Sequence, residues 1–436
     1  MPRRLSVPAL VLTLMIVAAC RPTPSPVDQM NDLAQSYVKL VLAVGQHDDN
    51  YVDAYYGPEA WKKEVEANPP SLDSIAVGAQ LLIGRLANID VTGAEEIVRL
   101  RHDYLTKQLQ SMVTRVEMLQ GKRLSFDEEA KALYDAAPPT YPESHFQEIL
   151  DKLAKLLPGD GPLVERYARF KADFIIPKAR LDTVFSAAIA EARRRTRRHI
   201  TLPDSENFVV EYVTDKPWSG YNWYQGHAHS LIQVNTDLPI YIDRAIDLAA
   251  HEGYPGHHVY NALLEQHLVR GRGWAEFSIY PLFSPQSLIA EGSANYGIDV
   301  AFPHDDRVAF ERDVLFPLAG LDPARAEAFN DVQDLFAKLS YAGNEAARHY
   351  LNGDIDAEQA AQWLAAYALM PIDRARQRVR FIDRYRSYVI NYNLGRDMVR
   401  DFVEAGGGTT DHPERRWEVF KQLLSSPRLP SGLSTK

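Results

Sequence analysis

From Val27 almost to its end, this chain spaces apolar residues three and four positions apart, interrupted by short proline- and glycine-rich joints. That periodicity restricts it to a mainly helical fold. Met30 to Val44 carries Leu33, Tyr37 and Val41 on one stripe, and Glu95 to Gln120 carries Leu105, Leu109, Met112, Val116 and Leu119. Phe126 to Ala136, Pro142 to Leu157 and Val164 to His199 continue the pattern. Breakers separate these segments at Gly57-Pro58, Pro69-Pro70, Pro138-Pro139 and Pro158 to Gly161. The dense run Arg193 to Arg198 reads as a solvated last helical turn. One stretch departs from helix: Phe208 to Val213 and Ser230 to Asn235 are β-branched and aromatic, which predicts a small antiparallel sheet between Phe208 and Asn235. No regular βα alternation occurs, which excludes a doubly wound solute-binding architecture. Residues 31–200 read as an N-terminal helical region and 201–436 as the region carrying the chemistry, with a cleft between them. Ser425 to Lys436 reads as a frayed tail.

With 48 basic against 58 acidic residues, the net charge is −10, which argues against nucleic acid as a partner. The single cysteine excludes an intrachain disulfide and cysteine-rich zinc sites, so any metal must be held by His, Asp and Glu. That cysteine follows a charged start, Arg3-Arg4, and an apolar stretch too short to span a bilayer. Val17-Ala18-Ala19-Cys20 resembles a bacterial lipobox, in which the cysteine is acylated. Residues 1–19 then read as a lipoprotein signal peptide and 20–30 as a stiff tether, Arg21-Pro22-Thr23-Pro24-Ser25-Pro26 being proline-rich. Acyl chains anchor a protein to a membrane without spanning it. Arg21, not Asp, follows the cysteine, so the inner-membrane retention signal known for such lipoproteins is absent. The expected location is the periplasmic side of the envelope, at the outer membrane.

The chemistry concentrates in Asp247 to His258, which contains His251-Glu252-Gly253-Tyr254-Pro255-Gly256-His257-His258. A His-Glu pair followed by another His follows the logic of H-E-x-x-H, where two imidazoles bind zinc and the Glu faces a water on the metal. The fourth position after His251 is Pro255, which cannot ligate and cannot donate to residue 251. The helix must bend or bulge there. On an undistorted helix His258 would stand roughly 20° from His251 and His257 roughly 120° away. A two-residue bulge reverses that preference.

Ser284-Pro285 predicts a helix start with Ser as N-cap, leading into Leu288 to Gly297. Glu291 is the acidic residue on an otherwise small and apolar face, where a second helix can pack close. Two His and one Glu leave a fourth zinc position open. Asn295 and Asp247, each one turn from a candidate ligand, are candidates to orient an imidazole.

His-Glu-x-x-Pro-Gly-His followed by Glu-Gly-x-Ala resembles the bacterial family called domain of unknown function 885, placed among gluzincin-type zinc metallopeptidases and rich in lipoproteins. The likeness is most specific over 251–257 and 291–294 and extends more loosely from about Thr201 to about Gly395. It implies a helical metallopeptidase-like body with zinc ligands His251, His257 and Glu291, and Glu252 as general base. The family also shows an Arg and then Tyr-x-x-Gly, which Arg380 and Tyr392-Asn393-Leu394-Gly395 match in spacing. The Pro-Gly-Gln-Ala stretch usual before that Tyr is replaced by Ser387 to Asn391.

For peptide hydrolysis a donor must also hold the oxyanion, and Tyr392, Arg380, His229 and Tyr224 are candidates. His227 and His229, beside the strand Ser230 to Asn235, mark a place where a substrate backbone could add, with Tyr224, His229 and Asn235 as binding residues. The expected activity is a membrane-anchored zinc peptidase acting on short peptides or peptidoglycan stem peptides. The alternative is a lipoprotein that binds metal or peptide without turnover.

Overall fold

A computed structural model describes residues 24–433 except 217. Cys20 and the signal-like segment lie outside the described residues. The fold is mainly helical, and no described helix is long and apolar enough to cross a membrane. The first helix, Pro26–Val44, starts earlier than the periodicity suggests and takes over part of the expected tether. Ser25 caps it by accepting from the Asp28 amide, and Pro26 fills the first turn, where its missing N–H costs nothing. The stretch read as one helix over 164–199 is two, Leu163–Ala172 and Leu181–Arg197. Pro177 ends the continuity, because the residue before a proline is steered out of helical backbone. The predicted frayed tail is docked as far as it is described: Leu429 and Leu433 are buried, and Arg428 bonds to Glu96.

The arginine run is the last turn of the helix, with Arg194, Arg197 and Arg198 exposed, and it also clamps neighbouring acids. Arg193 and Arg197 both bond the buried carboxylate of Glu206, and Arg195 reaches Glu191, Asp306 and the Ala301 carbonyl.

Two small sheets interrupt the helices. β1 (Val52–Tyr55) and β5 (Ile279–Pro281) pair antiparallel, stitching the N-terminal residues to the segment just before Glu291. The second sheet holds β2 (Asn207–Val213), β3 (Gly220–Gly226) and β4 (His229–Asn235) in the order β2-β4-β3. The two strands read from sequence are present, but they pair parallel, and the aromatic connection between them is itself the antiparallel third strand. The sheet is therefore mixed. β4 is central, so the edge strands of this sheet are β2 and β3, not the strand carrying His229.

One apolar core runs through residues of both halves, including Tyr37, Leu109, Ile246, Leu263, Ile289 and Val399. Buried polar pairs cross the same boundary. Arg101 meets Glu276 with both side chains fully buried, and Tyr104 donates to Gln286. A second core joins the helices around Phe146, Leu153, Leu364 and Val379.

Candidate metal centre

The helical rod that carries His251 begins at Asp243 and widens to a π-turn over Ala249–Gly253. Pro255 has no N–H to continue an α-helical ladder, so the chain closes through wider bonds. The Tyr254 amide donates to the Ala249 carbonyl and the Gly256 amide to the Ala250 carbonyl. A new helix then starts at His257. Gly256 permits this turn: a Cβ there would stand 1.9 Å from the His251 carbonyl oxygen. The expected bulge is present, and it carries His257 back over His251.

The two imidazole Nε2 atoms stand 3.1 Å apart, and Glu291 Oε2 lies 3.3 Å from that of His251 and 3.6 Å from that of His257. His258 turns the other way. It is fully buried, with Nδ1 at Ser230 and Nε2 3.1 Å from Glu206. Burial pushes Glu206 up, but hydrogen bonds from His258, Tyr254 and Arg193 outweigh it and hold the carboxyl at about 2. His258 is thus a packing anchor for the helix start.

Glu291 rides on the helix Pro285–Ala301. Pro285 opens that helix as expected, but Ser284 does not cap it; its hydroxyl donates to the Pro281 carbonyl. Gly292 lets the helix Ile390–Ala405 cross in backbone contact. A Cβ on Gly292 would lie 2.4 Å from the carbonyl of Gly395, and one on Gly395 2.7 Å from the Leu288 oxygen. The crossing brings Tyr388 and Tyr392 to the centre. The Tyr388 hydroxyl donates to Glu291 Oε1 at 2.7 Å, a partner that sequence reasoning missed.

Asn295 orients His251. Its amide nitrogen donates to the Tyr392 carbonyl at 2.9 Å, which fixes the amide's direction, and its oxygen faces His251 Nδ1 at 3.0 Å. Nδ1 must then carry the proton, leaving the Nε2 lone pair aimed at Glu291 and His257. Asp247, the other candidate, is held by Arg307 and Arg244 instead.

The donors fit a divalent cation. His251, His257 and Glu291 each offer a ligand atom, all within 4.8 Å of one another. Glu291 Oε2 is buried and makes no hydrogen bond. A buried carboxylate oxygen without a donor is costly unless a cation meets it. Burial pushes the Glu291 carboxyl up, yet the two imidazoles outweigh it and hold it well below the carboxylate range. Burial pushes the His257 imidazole down, and Glu291, Glu252 and Asp53 together lift it to about 9. This charge balance favours a positive occupant, and two nitrogens with one carboxylate suit zinc.

Glu252 is buried but outside that donor group. Asn222 holds its backbone carbonyl at 2.8 Å. Its carboxylate faces the backbone of Gly220 on β3, where a Cβ would come within 2.8 Å of Oε1. Asp53, on β1, was not foreseen. Burial raises it to about 6 against the pull of His257 and of the Tyr221 hydroxyl, which bonds it at 3.2 Å. Tyr392 lies among the same charges: burial, then Glu291, pushes its hydroxyl well above its usual value.

The remaining expectations do not gather here. Tyr224 is buried with its hydroxyl on Glu265, which also accepts from the His227 and Ala228 amides. His229 is exposed, its Nδ1 against the His227 carbonyl. Asn235 ties down the Lys216 and Trp218 carbonyls. Arg380 is exposed, whereas Arg378, two residues earlier, is the arginine that faces Tyr392.

No family model and no curated protein matches the chain. Among solved structures it is similar to a "putative lipoprotein" from Colwellia psychrerythraea, at 16% identity over 86% of this chain and 68% of that one, with TM-score 0.49. It is also similar to a "putative lipoprotein of unknown function" from Shewanella oneidensis, at 13% identity over 83% and 75%, with TM-score 0.41. A third likeness is to the M32 carboxypeptidase from Deinococcus radiodurans R1, at 12% identity over 91% and 89%, with TM-score 0.34. At these scores the likenesses decide nothing about this chain, and its function must be argued from its own residues.

Proposed function

We propose that this chain is a zinc-dependent peptidase whose metal is held by His251, His257 and Glu291. The observation that carries the reading is the buried Glu291 Oε2, which lacks a hydrogen-bond donor and faces two imidazole nitrogens. A zinc ion there would polarise a carbonyl and bring the pKa of a bound water towards about 7. Glu252 takes the proton of the attacking water and returns it to the leaving amine. Tyr392, whose hydroxyl stays protonated, donates to the developing oxyanion. Asn295 and Tyr388 hold the ligands still.

The test separates the neighbouring histidines. His257→Ala should lose zinc from chelator-free protein and lose hydrolysis of a pooled peptide or muropeptide library. His258→Ala should keep zinc while lowering stability, because it leaves Glu206 short of a partner. Elemental analysis and thermal unfolding read both. Zinc kept in the first variant and lost in the second would overturn the ligand set.

The same reading places the body at the envelope through an acylated Cys20. Cys20→Ser should shift the protein from the membrane fraction to a soluble or unprocessed form. Unchanged fractionation and mobility would remove the anchor.

A further inference from the structure

The helix Ile372–Tyr385 buries Ala375, Val379 and Ile382. Arg378 lies one turn from both ends of that stripe and is drawn partly inside, whereas Arg380 points out to solvent. Among the surrounding arginines, Arg376 pairs with Glu358, Arg384 bonds Asn50, and Arg386 pairs with Glu129. Arg378 and Arg380 have neither ion pair nor hydrogen bond among the described residues, and of the two only Arg378 is half-buried, Arg380 being exposed to water. Burial pushes its pKa down and only Tyr392 pulls the other way. An inward guanidinium without an acceptor is an expensive object to keep unless something else supplies one.

Its position relative to the metal centre is traced by an aromatic wall. The Arg378 guanidinium lies 4.4 Å above the Phe381 ring. The Phe381 ring lies tilted against Tyr385 at 4.6 Å, Tyr385 meets Tyr388 at 6.1 Å, and Tyr388 meets Tyr392 at 5.7 Å. Tyr388 ends on Glu291. Tyr392, at the metal end of this wall, is close enough to feel both the carboxylates of Glu291 and Glu252 and the Arg378 guanidinium. The carboxyl groups around the metal centre, Glu291, Glu252 and Asp53, make that end of the wall acidic, and the far end carries the guanidinium. A planar guanidinium stacked on an aromatic ring is suited to a carboxylate, which it can grip with two parallel hydrogen bonds.

We propose that Arg378 is the anchor for a substrate carboxylate, so that the site takes peptides presenting a free carboxylate beyond the bond to be cut. The inference rests on the peptidase reading for the bond cut, but its binding half stands apart from turnover. The carboxylate is either the peptide C-terminus or an acidic side chain. In both cases the bound chain would run along the aromatic wall that links Arg378 to Tyr392, with the gripped group at the Arg378 end.

The experiment uses the zinc-loaded full chain and three matched pools of N-acetylated tetrapeptides. One pool has free C-termini, one is C-amidated, and one is C-amidated with a glutamate side chain. Binding is read by calorimetry and turnover by amine release, for wild type, Arg378→Met and Arg378→Lys. Wild type should prefer a carboxylate-bearing pool over the plain amide by roughly 10–100-fold in affinity. Arg378→Met should erase that preference and leave binding of the plain amide pool unchanged, and Arg378→Lys should restore part of it. Preference for the first or the third pool identifies the carboxylate's source. No preference in wild type, or a preference that survives Arg378→Met, overturns the anchor, as does failure to bind any pool. Arg378-dependent binding without turnover would keep the anchor and overturn the peptidase reading. Turnover indifferent to the carboxylate would do the reverse.

Discussion

Glu252→Gln is expected to lower peptide turnover by roughly 10²–10⁴-fold while leaving zinc content and fold unchanged. The residue directly follows His251 within the π-turn Ala249–Gly253, so its side chain leaves the rod in a different direction from that imidazole. This keeps it out of the donor group formed by His251, His257 and Glu291. Its backbone is fixed by the bond from Asn222, and its carboxylate lies against Gly220 with no hydrogen-bond partner among the described residues. The amide of Gln fills the same space and keeps the neighbours in place, but it cannot take a proton from water. Zinc stoichiometry and hydrolysis of the pooled library, wild type against variant, read the two quantities separately. Equal turnover in both proteins would defeat the general-base role. Loss of zinc together with turnover would make Glu252 a ligand instead.

The second large effect is structural. Gly292→Ala should destabilise the protein by upwards of about 3 kcal/mol, because one methyl must fit where two backbones already touch. The new Cβ would stand 2.4 Å from the Gly395 carbonyl carbon and oxygen, and neither backbone can yield without moving its helix. Denaturant unfolding of the metal-free protein gives the measurement. A loss below about 1 kcal/mol would show that the helices part cheaply and that the crossing does not fix the centre.

The ligand segment was legible because its chemistry is local. His251, Glu252 and His257 fall within seven residues, and Pro255-Gly256 announces a departure from regular helix. Asn295 was legible because one helical turn links it to Glu291. Spacing to Tyr392 pointed to Arg380, which is exposed, whereas the half-buried arginine near Tyr392 is Arg378. The buried stripe Ala375, Val379, Ile382 contains the signal, since position 378 is in phase with it and 380 is not. Asp53 left no local trace, because it reaches the centre through the pairing of β1 with β5, more than 200 residues away in sequence. Strand order was hidden for the same reason. Periodicity and β-propensity mark a strand but not its neighbour, and β4 lies between two strands that both precede it.

The two histidines and the glutamate reach the centre by different routes. His251 and His257 are six positions apart and are set face to face by one turn of chain. Glu291 arrives only when a separate helix has docked across Gly395. A molecule loosened at that crossing therefore keeps a two-legged holder and loses the third leg. Its failure is graded: zinc titration of the Gly292→Ala protein should show weakened binding where loss of a histidine abolishes it. On the zinc reading, the strength of the grip on the metal would gauge whether the two helices have closed on each other.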